Sequence, residues 1–265
     1  MKIGALIPVR LASERMPGKA LLPIAGRPAI QHLLDRLFAS KFVEPQNVIL
    51  CTTKDASDDP LSKVAQESGA RLFRGNRDNI IDRFYEAVQQ FGFDMVIQAD
   101  GDDPCSDTTY MNLCMERLIA NPDLDIVVTE GLPLGLGSKA IRASAIRTVW
   151  EHHVTTRNDT GFIYYFTRTG LCTTASIKPT CPEHIHNDAR LTLDYPQDLA
   201  FFEALFQELY LEKSVFGIDA IVSTLRRRPE LIAINAGLDA KYQSRTKQLA
   251  HLEYRINNKT FKIKV

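Results

Sequence analysis

The chain has 265 residues, 45% hydrophobic and 24% charged, enough for one large globular domain with an elaboration or for two modest ones. Its 32 basic residues balance its 32 acidic ones, so no global field draws it to nucleic acid or to an anionic membrane, and any anion site must be local. The five cysteines are odd in number and form no C-x-x-C pair, no apolar run is long enough to span a bilayer, and no signal peptide opens the sequence. Together these predict reduced thiols and a cytoplasmic protein.

Ile3 to Ile7 is a short apolar run that predicts a buried first strand. Pro28 marks the first turn of a helix whose Ile30, Leu33, Leu34, Leu37 and Phe38 fall at helical spacing. A second strand is predicted over Asn47 to Thr53, a helix between Asp58 and Gly69, and a third strand over Ala70 to Phe73. Asn79 to Phe91 reads as an amphipathic helix and Asp94 to Ala99 as a fourth strand, ending in Asp100-Gly101-Asp102-Asp103-Pro104. Asp107 is placed to cap a helix running to Ala120, and Leu124 to Thr129 predicts a fifth strand. Strands alternating with helices imply a doubly wound, mostly parallel α/β sheet, which binds ligands at the carboxyl ends of its strands.

After Glu130 the pattern changes. The glycines at 131, 135 and 137 break regular structure, and Ser144 to Trp150 is a short predicted helix. Phe162 to Phe166 and Thr173 to Lys178 read as strands of a small antiparallel insertion over 131–189, and Arg190 to Asp194 as a return to a buried strand. A long helix follows from Tyr195 with Leu199, Phe202, Leu205, Phe206 and Leu209 on one face, then another over Ile218 to Leu225. Residues 1–225 would form a single domain and 226–265 a basic extension. From Asp239 onward seven Lys or Arg face two acidic residues, and Phe261 to Val265 alternates like a strand. A solvated tail and an intersubunit strap are both open for this segment.

The loop after the first strand holds Arg10, Ser13, Arg15 and Lys19 around Pro17-Gly18, a turn that folds the chain back and lets three cations converge on an anion. The alternative is a solvated basic loop. Asp102 and Asp194 each lie at a predicted strand end, where two carboxylates suffice for a Mg²⁺ that takes its remaining ligands from phosphate and water. Read locally, Asp102 is equally a turn residue and Asp194 a helix N-cap.

The loop resembles the signature of the cytidylyltransferases that make CMP-activated sugar acids, whose pattern is R-x-x-S-x-R-x-P-G-K followed by apolar residues and Gly-(Lys/Arg)-Pro. Here Arg10, Ser13, Arg15, Pro17, Gly18 and Lys19 are followed by Gly26-Arg27-Pro28. The family's G-D-x-P segment is matched by Gly101-Asp102-Asp103-Pro104, and its T-x-D-x-x-x-D-L segment by Thr192 to Leu199.

The resemblance covers roughly Met1 to Leu209 and is closer to the spore-coat-like branch than to the Kdo enzyme. It implies a nucleotide-diphospho-sugar transferase-like fold that transfers CMP from CTP to a sugar acid for surface polysaccharide, with pyrophosphate released. Asp102 and Asp194 would hold Mg²⁺, and Arg10, Arg15 and Lys19 would hold the triphosphate. Ser13, Arg74, Arg83 of an Asp82-Arg83 pair, and the backbone at Pro8 and Val9 would meet the nucleotide. An ion pair on the helix surface is the alternative for Asp82-Arg83.

Asp100 departs from the family pattern and would add a ligand or cap the turn. The resemblance further implies a homodimer, with 131–189 shaping the acceptor pocket and the dimer contact. Candidate acceptor contacts are Lys139, Arg142, Arg157, His184, His186 and Arg190, a bidentate Arg being the best partner for a carboxylate. The run from Cys181 to His186 has too few ligands at too irregular a spacing for a standard zinc site, and His152-His153 reads as helix-end polarity. Two rivals stand beside this reading. One is a metal-dependent glycosyltransferase, since Asp100-Gly101-Asp102 formally reads D-x-D. The other is a non-catalytic nucleotide- or sugar-binding module.

Overall fold

Side chains alternating along the first strand decide the architecture. In β1 (Ile3–Pro8), Ala5 and Ile7 enter one apolar cluster while Leu6 enters another, so both faces are buried. The computed structural model describes residues 1–211 and 214–264. A two-residue ribbon of β2 (Pro23–Ile24) and β3 (Arg27–Pro28) leads into α1 (Ala29–Phe38). Burying each of Leu33, Leu34 and Leu37 contributes roughly 1.5–3 kcal/mol.

β4 (Val48–Thr53) repeats the division, Val48 and Leu50 to one side, Ile49 and Cys51 to the other. α2 (Pro60–Ser68) stops at Gly69, whose φ of 87° is the left-handed C-cap, and β5 (Arg71–Gly75) follows. α3 (Ile80–Phe91) is capped by Asn79, whose side chain accepts the Asp82 N–H at 3.0 Å. β6 (Met95–Gln98) precedes α4 (Thr108–Ala120), where the Asp107 cap accepts the N–H groups of Thr109 and Tyr110 at 2.9 and 3.2 Å. Then come β7 (Ile126–Thr129), β8 (Lys139–Arg142) and α5 (Ala143–His152).

The main sheet has seven strands in the order β5-β4-β1-β6-β8-β7-β9, β9 being Thr174–Ile177. Strands β5, β4, β1 and β6 are mutually parallel, β8 runs against both neighbours, and β9 is parallel to β7. From β1 the chain winds to one side through β4 and β5 and then returns to lay β6 on the other. The crevice above β1 and β6 is therefore the switch point at which such sheets bind ligands.

Four expectations change. Phe162 to Phe166 is not a strand: the chain turns there and enters α6 (Tyr164–Thr167), which buries Tyr165 and Phe166 against the second core cluster. Thr173 to Lys178 does supply β9, but as an edge of the main sheet parallel to β7, and β8 is likewise built into that sheet. Arg190 to Asp194 is extended and bridged to the chain at Leu134 without joining a sheet.

The basic tail is not a solvated extension but packs on its own chain. After α7 (Pro196–Leu209), α8 (Ile218–Arg227) and the one-turn α9 (Glu230–Ala233), α10 (Leu238–Leu249) leads to a hairpin of β10 (His251–Ile256) and β11 (Lys259–Lys264). Leu252 and Tyr254 of that hairpin are buried in the second core cluster. The last residue of the predicted strand, Val265, lies outside the described residues. Among the described residues no helix is long and apolar enough to cross a membrane, and all five cysteines are free.

Candidate active site

The loop leaving β1 folds back as its Pro17-Gly18 turn requires, with Gly18 at φ 72°. Lys19 thereby reaches two carboxylates together: its Nζ donates to Asp102 Oδ2 at 2.6 Å and to Asp194 Oδ1 at 2.8 Å. Arg15 donates to the same Asp194 oxygen. Four residues separated by as many as 179 positions thus meet at one point beside a cavity of about 300 Å³. That volume is at the lower end of small-molecule pockets.

Backbone packing brings the two aspartates together. Gly101 passes so close to β1 that a Cβ there would lie 2.8 Å from the Pro8 carbonyl, and its N–H donates to that oxygen at 3.3 Å. The N–H of Leu193 donates to the Asp102 carbonyl at 2.7 Å, tying the two acidic segments directly. Gly135, at φ 91°, lets the extended segment pass: a Cβ there would sit 2.0 Å from the Leu191 carbonyl. Asp194 is not the N-cap of α7, which is Tyr195; instead Asp198 accepts the N–H groups of Asp194 and Tyr195 at 3.0 and 2.9 Å.

Arg190 completes the set from below. It is 2% exposed and donates to Asp194 at 3.0 Å, to Asp198 at 3.0 Å and to Asp239 at 2.9 Å. It is neither a strand-edge charge nor an acceptor contact but the buried counterion that holds Asp194 in place.

Charge decides the protonation states here. Burial alone would raise the Asp102 carboxyl, but the Lys19 ammonium outweighs it and holds it below the usual carboxylate range. Burial likewise opposes the charge on Lys19, and Asp102 and Asp194 overcome it and raise its pKa. At Asp103 burial, then Asp102 and Asp100, outweigh the more weakly acting Lys139 and push the carboxyl well above the ordinary value.

The remaining predicted residues divide. Pro8, Val9, Arg10, Ser13, Arg83 and Asp100 all line the cavity. Arg10 stands apart from Lys19, on the wall where Asp159 accepts from it at 2.7 Å. The backbone at Pro8 and Val9 is largely committed, Pro8 accepting from Gly101 and the Val9 N–H donating to Cys51 at 3.2 Å. Arg83 is 2% exposed, donates to the Cys51 carbonyl at 3.0 Å and forms no pair with Asp82, which accepts instead from the Trp150 indole and from Asn76. Asp100 is held by Lys139 at 2.7 Å and Gln98 at 2.9 Å.

Arg74 is a correction: it pairs with Asp59 at 2.8 Å and does not line the cavity. Arg142 serves the backbone, donating to the carbonyls of Leu124 and Leu118, whereas Arg157 does line the cavity. His184 lies elsewhere, its ring nitrogens on the Tyr110 hydroxyl and Asp219, each at 2.7 Å. Cys181 is near that pair, and His186 is not part of the cluster.

Four contributors escaped the sequence reading. Asp159 anchors Arg10, and Tyr242 and Arg245 of α10 line the cavity from the tail. The fourth is Asp58, fully buried, which accepts from the Leu11 N–H at 2.7 Å and from both Thr52 and Thr53, pinning the root of the cationic loop to β4. Burial would raise its pKa, but these donors lower it.

A folded-state pKa below the unfolded value gives stability that is present above about pH 3.9 and lost as pH falls through the folded value. Asp58→Asn should therefore cost about 1.5–3 kcal/mol in urea unfolding at pH 7, because charge-assisted hydrogen bonds are replaced by an amide that mismatches one donor. The difference from wild type should shrink below about pH 4. Equal differences at both pH values would count against the pinning role.

Comparison with known proteins bears on the family and the fold. A family model described as Cytidylyltransferase matches residues 4–218. The chain is 27% identical over 252 residues to an uncharacterized protein of Methanocaldococcus jannaschii, covering 91% of this chain and 97% of that one. It is 24% identical over 237 residues to the spore coat polysaccharide biosynthesis protein SpsF of Bacillus subtilis, covering 85% and 94%. Similarity to the 3-deoxy-manno-octulosonate cytidylyltransferase of Francisella philomiragia is 34% over 128 residues, only 46% of this chain and 48% of that one.

Among solved structures, a cytidylyltransferase from Leptospira borgpetersenii superposes with a TM-score of 0.79 at 22% identity, covering 88% of this chain and 97% of that one. A CMP:2-keto-3-deoxy-manno-octonic acid synthetase complexed with CTP gives a TM-score of 0.60 at 19% identity, covering 79% and 100%. At such identities the structural likeness establishes the fold.

Proposed function

The chain belongs to the cytidylyltransferase family, and from that premise we propose that it transfers CMP from CTP to a hydroxyl of a sugar acid, releasing pyrophosphate, in the making of a surface polysaccharide. The observation that carries this reading is the meeting of Arg15, Lys19, Asp102 and Asp194 at one point above the carboxyl ends of β1 and β6. The acceptor oxygen forms a bond to the α-phosphorus as the bond to the β-phosphate oxygen breaks and pyrophosphate leaves. Holding the two reactants in line and countering the charge on the phosphates supply most of the catalysis.

Arg15 and Lys19 are the cations for that charge. Without nucleotide they neutralise Asp102 and Asp194; a triphosphate competes for both. Two carboxylates that share one ammonium at 2.6 and 2.8 Å also suit one small divalent cation, so Asp102 and Asp194 would hold Mg²⁺ once Arg15 and Lys19 turn to phosphate. When bound, the metal neutralises charge on the phosphate oxygens. Arg10, which lines the same cavity beside Asp159, would meet the far end of the triphosphate. Against a glycosyltransferase of D-x-D type stands the cationic loop from Arg10 to Lys19, which a bound sugar nucleotide does not require.

The test is pyrophosphate release with Mg²⁺ and each of the four common nucleoside triphosphates, against a panel of Kdo, neuraminic and legionaminic-type acids and neutral sugar phosphates. Release with CTP and one acid is expected. Release only with a neutral sugar phosphate would overturn the acceptor class, and absence of binding of any triphosphate would overturn nucleotidyl transfer itself.

A further inference from the structure

At the mouth of the cavity two guanidinium groups, drawn from residues 88 positions apart, meet on a single carboxylate. Arg157 Nη2 lies 3.3 Å from Glu14 Oε1, and Arg245 pairs with Oε2 of the same side chain. All three residues line the cavity, and all three are substantially exposed. Glu14 belongs to the cationic loop, between Ser13 and Arg15, and Arg157 to the segment after α5. Arg245 belongs to α10, beyond the residues 4–218 matched by the family.

We propose that Arg157 and Arg245 form a clamp for the carboxylate of the acceptor, and that Glu14 occupies this clamp until the acceptor displaces it. The proposal rests on the cytidylyltransferase reading for the nature of the acceptor. The two guanidiniums already grip a carboxylate, one on each oxygen, which is the geometry a sugar acid presents and a neutral sugar lacks. The grip is exchangeable, because exposed ion pairs are weak and screened, so a ligand carrying further contacts wins the site.

Those further contacts are at hand. Tyr242, one helical turn before Arg245, lines the same cavity with its ring 5.8 Å from the Arg15 guanidinium carbon. Arg157 is also braced by Asp159 at 2.9 Å, the residue that holds Arg10 at 2.7 Å, so the clamp adjoins the wall carrying a predicted triphosphate cation. Because Glu14 precedes Arg15 directly, filling the clamp removes one tether of the loop that carries Arg15 and Lys19. Acceptor and nucleotide then act on one piece of chain. In this view α10 is the part of the molecule that selects the acceptor.

The experiment is calorimetric titration of Kdo and N-acetylneuraminate, and of their methyl esters, into wild type, Glu14→Gln, Arg157→Gln and Arg245→Gln, with CTP titrated in parallel. Glu14→Gln should tighten binding of a free acid about fivefold by removing the internal competitor, a gain that misfolding cannot mimic. Each Arg variant should weaken it about tenfold or more, and the esters should respond to none of the three. Unchanged or weaker acid binding in Glu14→Gln, equal responses of acids and esters, or no acid binding even in Glu14→Gln would overturn the clamp. Failure of wild type to bind CTP would instead overturn the cytidylyltransferase reading.

Discussion

Replacing Asp102 with asparagine is expected to lower metal-dependent pyrophosphate release by roughly 10²–10³-fold, several kcal/mol of lost charge stabilisation. The change is sterically silent. Asp102 has 28% of its side chain exposed, and its side chain is engaged by Lys19, which keeps Asp194 as a second partner. The melting temperature should fall by only about 2–4 °C, since Lys19 keeps Asp194 as a partner and asparagine keeps the volume. What disappears is one of the two charges able to hold a divalent cation beside the α-phosphate. CTP affinity measured without metal should hold or improve, because Lys19 loses a competitor. A binding module of the same fold would have no rate to lose and would bind CTP as before. Steady-state rates in Mg²⁺ and Mn²⁺ with calorimetry on the same preparation separate these cases, and a variant that keeps full activity would sink the metal role of Asp102.

The four residues that meet at Lys19 were legible because local chemistry marks each as a candidate and the family resemblance decides between the local alternatives. Arg15 and Lys19 flank a Pro-Gly turn directly after an apolar strand, and Asp102 and Asp194 sit where apolar runs end. Strands β1, β4 and β6 were legible for a related reason: they are short and mostly apolar, as a sheet covered on both faces requires. Where the same signal lacks context it misleads. Phe162 to Phe166 is also short and apolar, yet periodicity cannot separate a buried strand from a buried helical turn, and the chain makes α6 there. β8 escaped notice because four residues between a turn and a helix carry no readable period.

Other contributions depend on partners distant in sequence. Arg190 looks like a charge at a strand edge until Asp198 and Asp239 are brought to it. The basic composition of the tail suggests a solvated face, although Tyr242 and Arg245 there close one side of the cavity. Asp58 beside Asp59 and Pro60 reads as a helix start. Its hydrogen bond to Leu11 spans 47 residues and leaves no local trace.

Arg190→Met is expected to destabilise the fold by about 3–5 kcal/mol, a drop in melting temperature on the order of 10 °C for a chain of this size. Methionine replaces the volume but leaves carboxylates that no longer have their counterion. Asp198 is fully buried and would keep only neutral donors, namely the two backbone N–H groups it caps and the Asn235 amide. Asp194 would keep Arg15 and Lys19, so the site would be forced to choose. If those two cations stay on Asp194 to offset the loss of Arg190, they are less available to a triphosphate. CTP affinity should fall together with stability, although Arg190 touches no substrate. Asp239→Asn is the control for a purely structural effect. It removes the one partner of Arg190 that is 43% exposed and should cost no more than about 1 kcal/mol while leaving CTP affinity unchanged. A stable Arg190→Met protein with wild-type CTP affinity would mean that Asp194 is held by the loop cations alone, and that the buried arginine belongs to the packing of α7 rather than to the site.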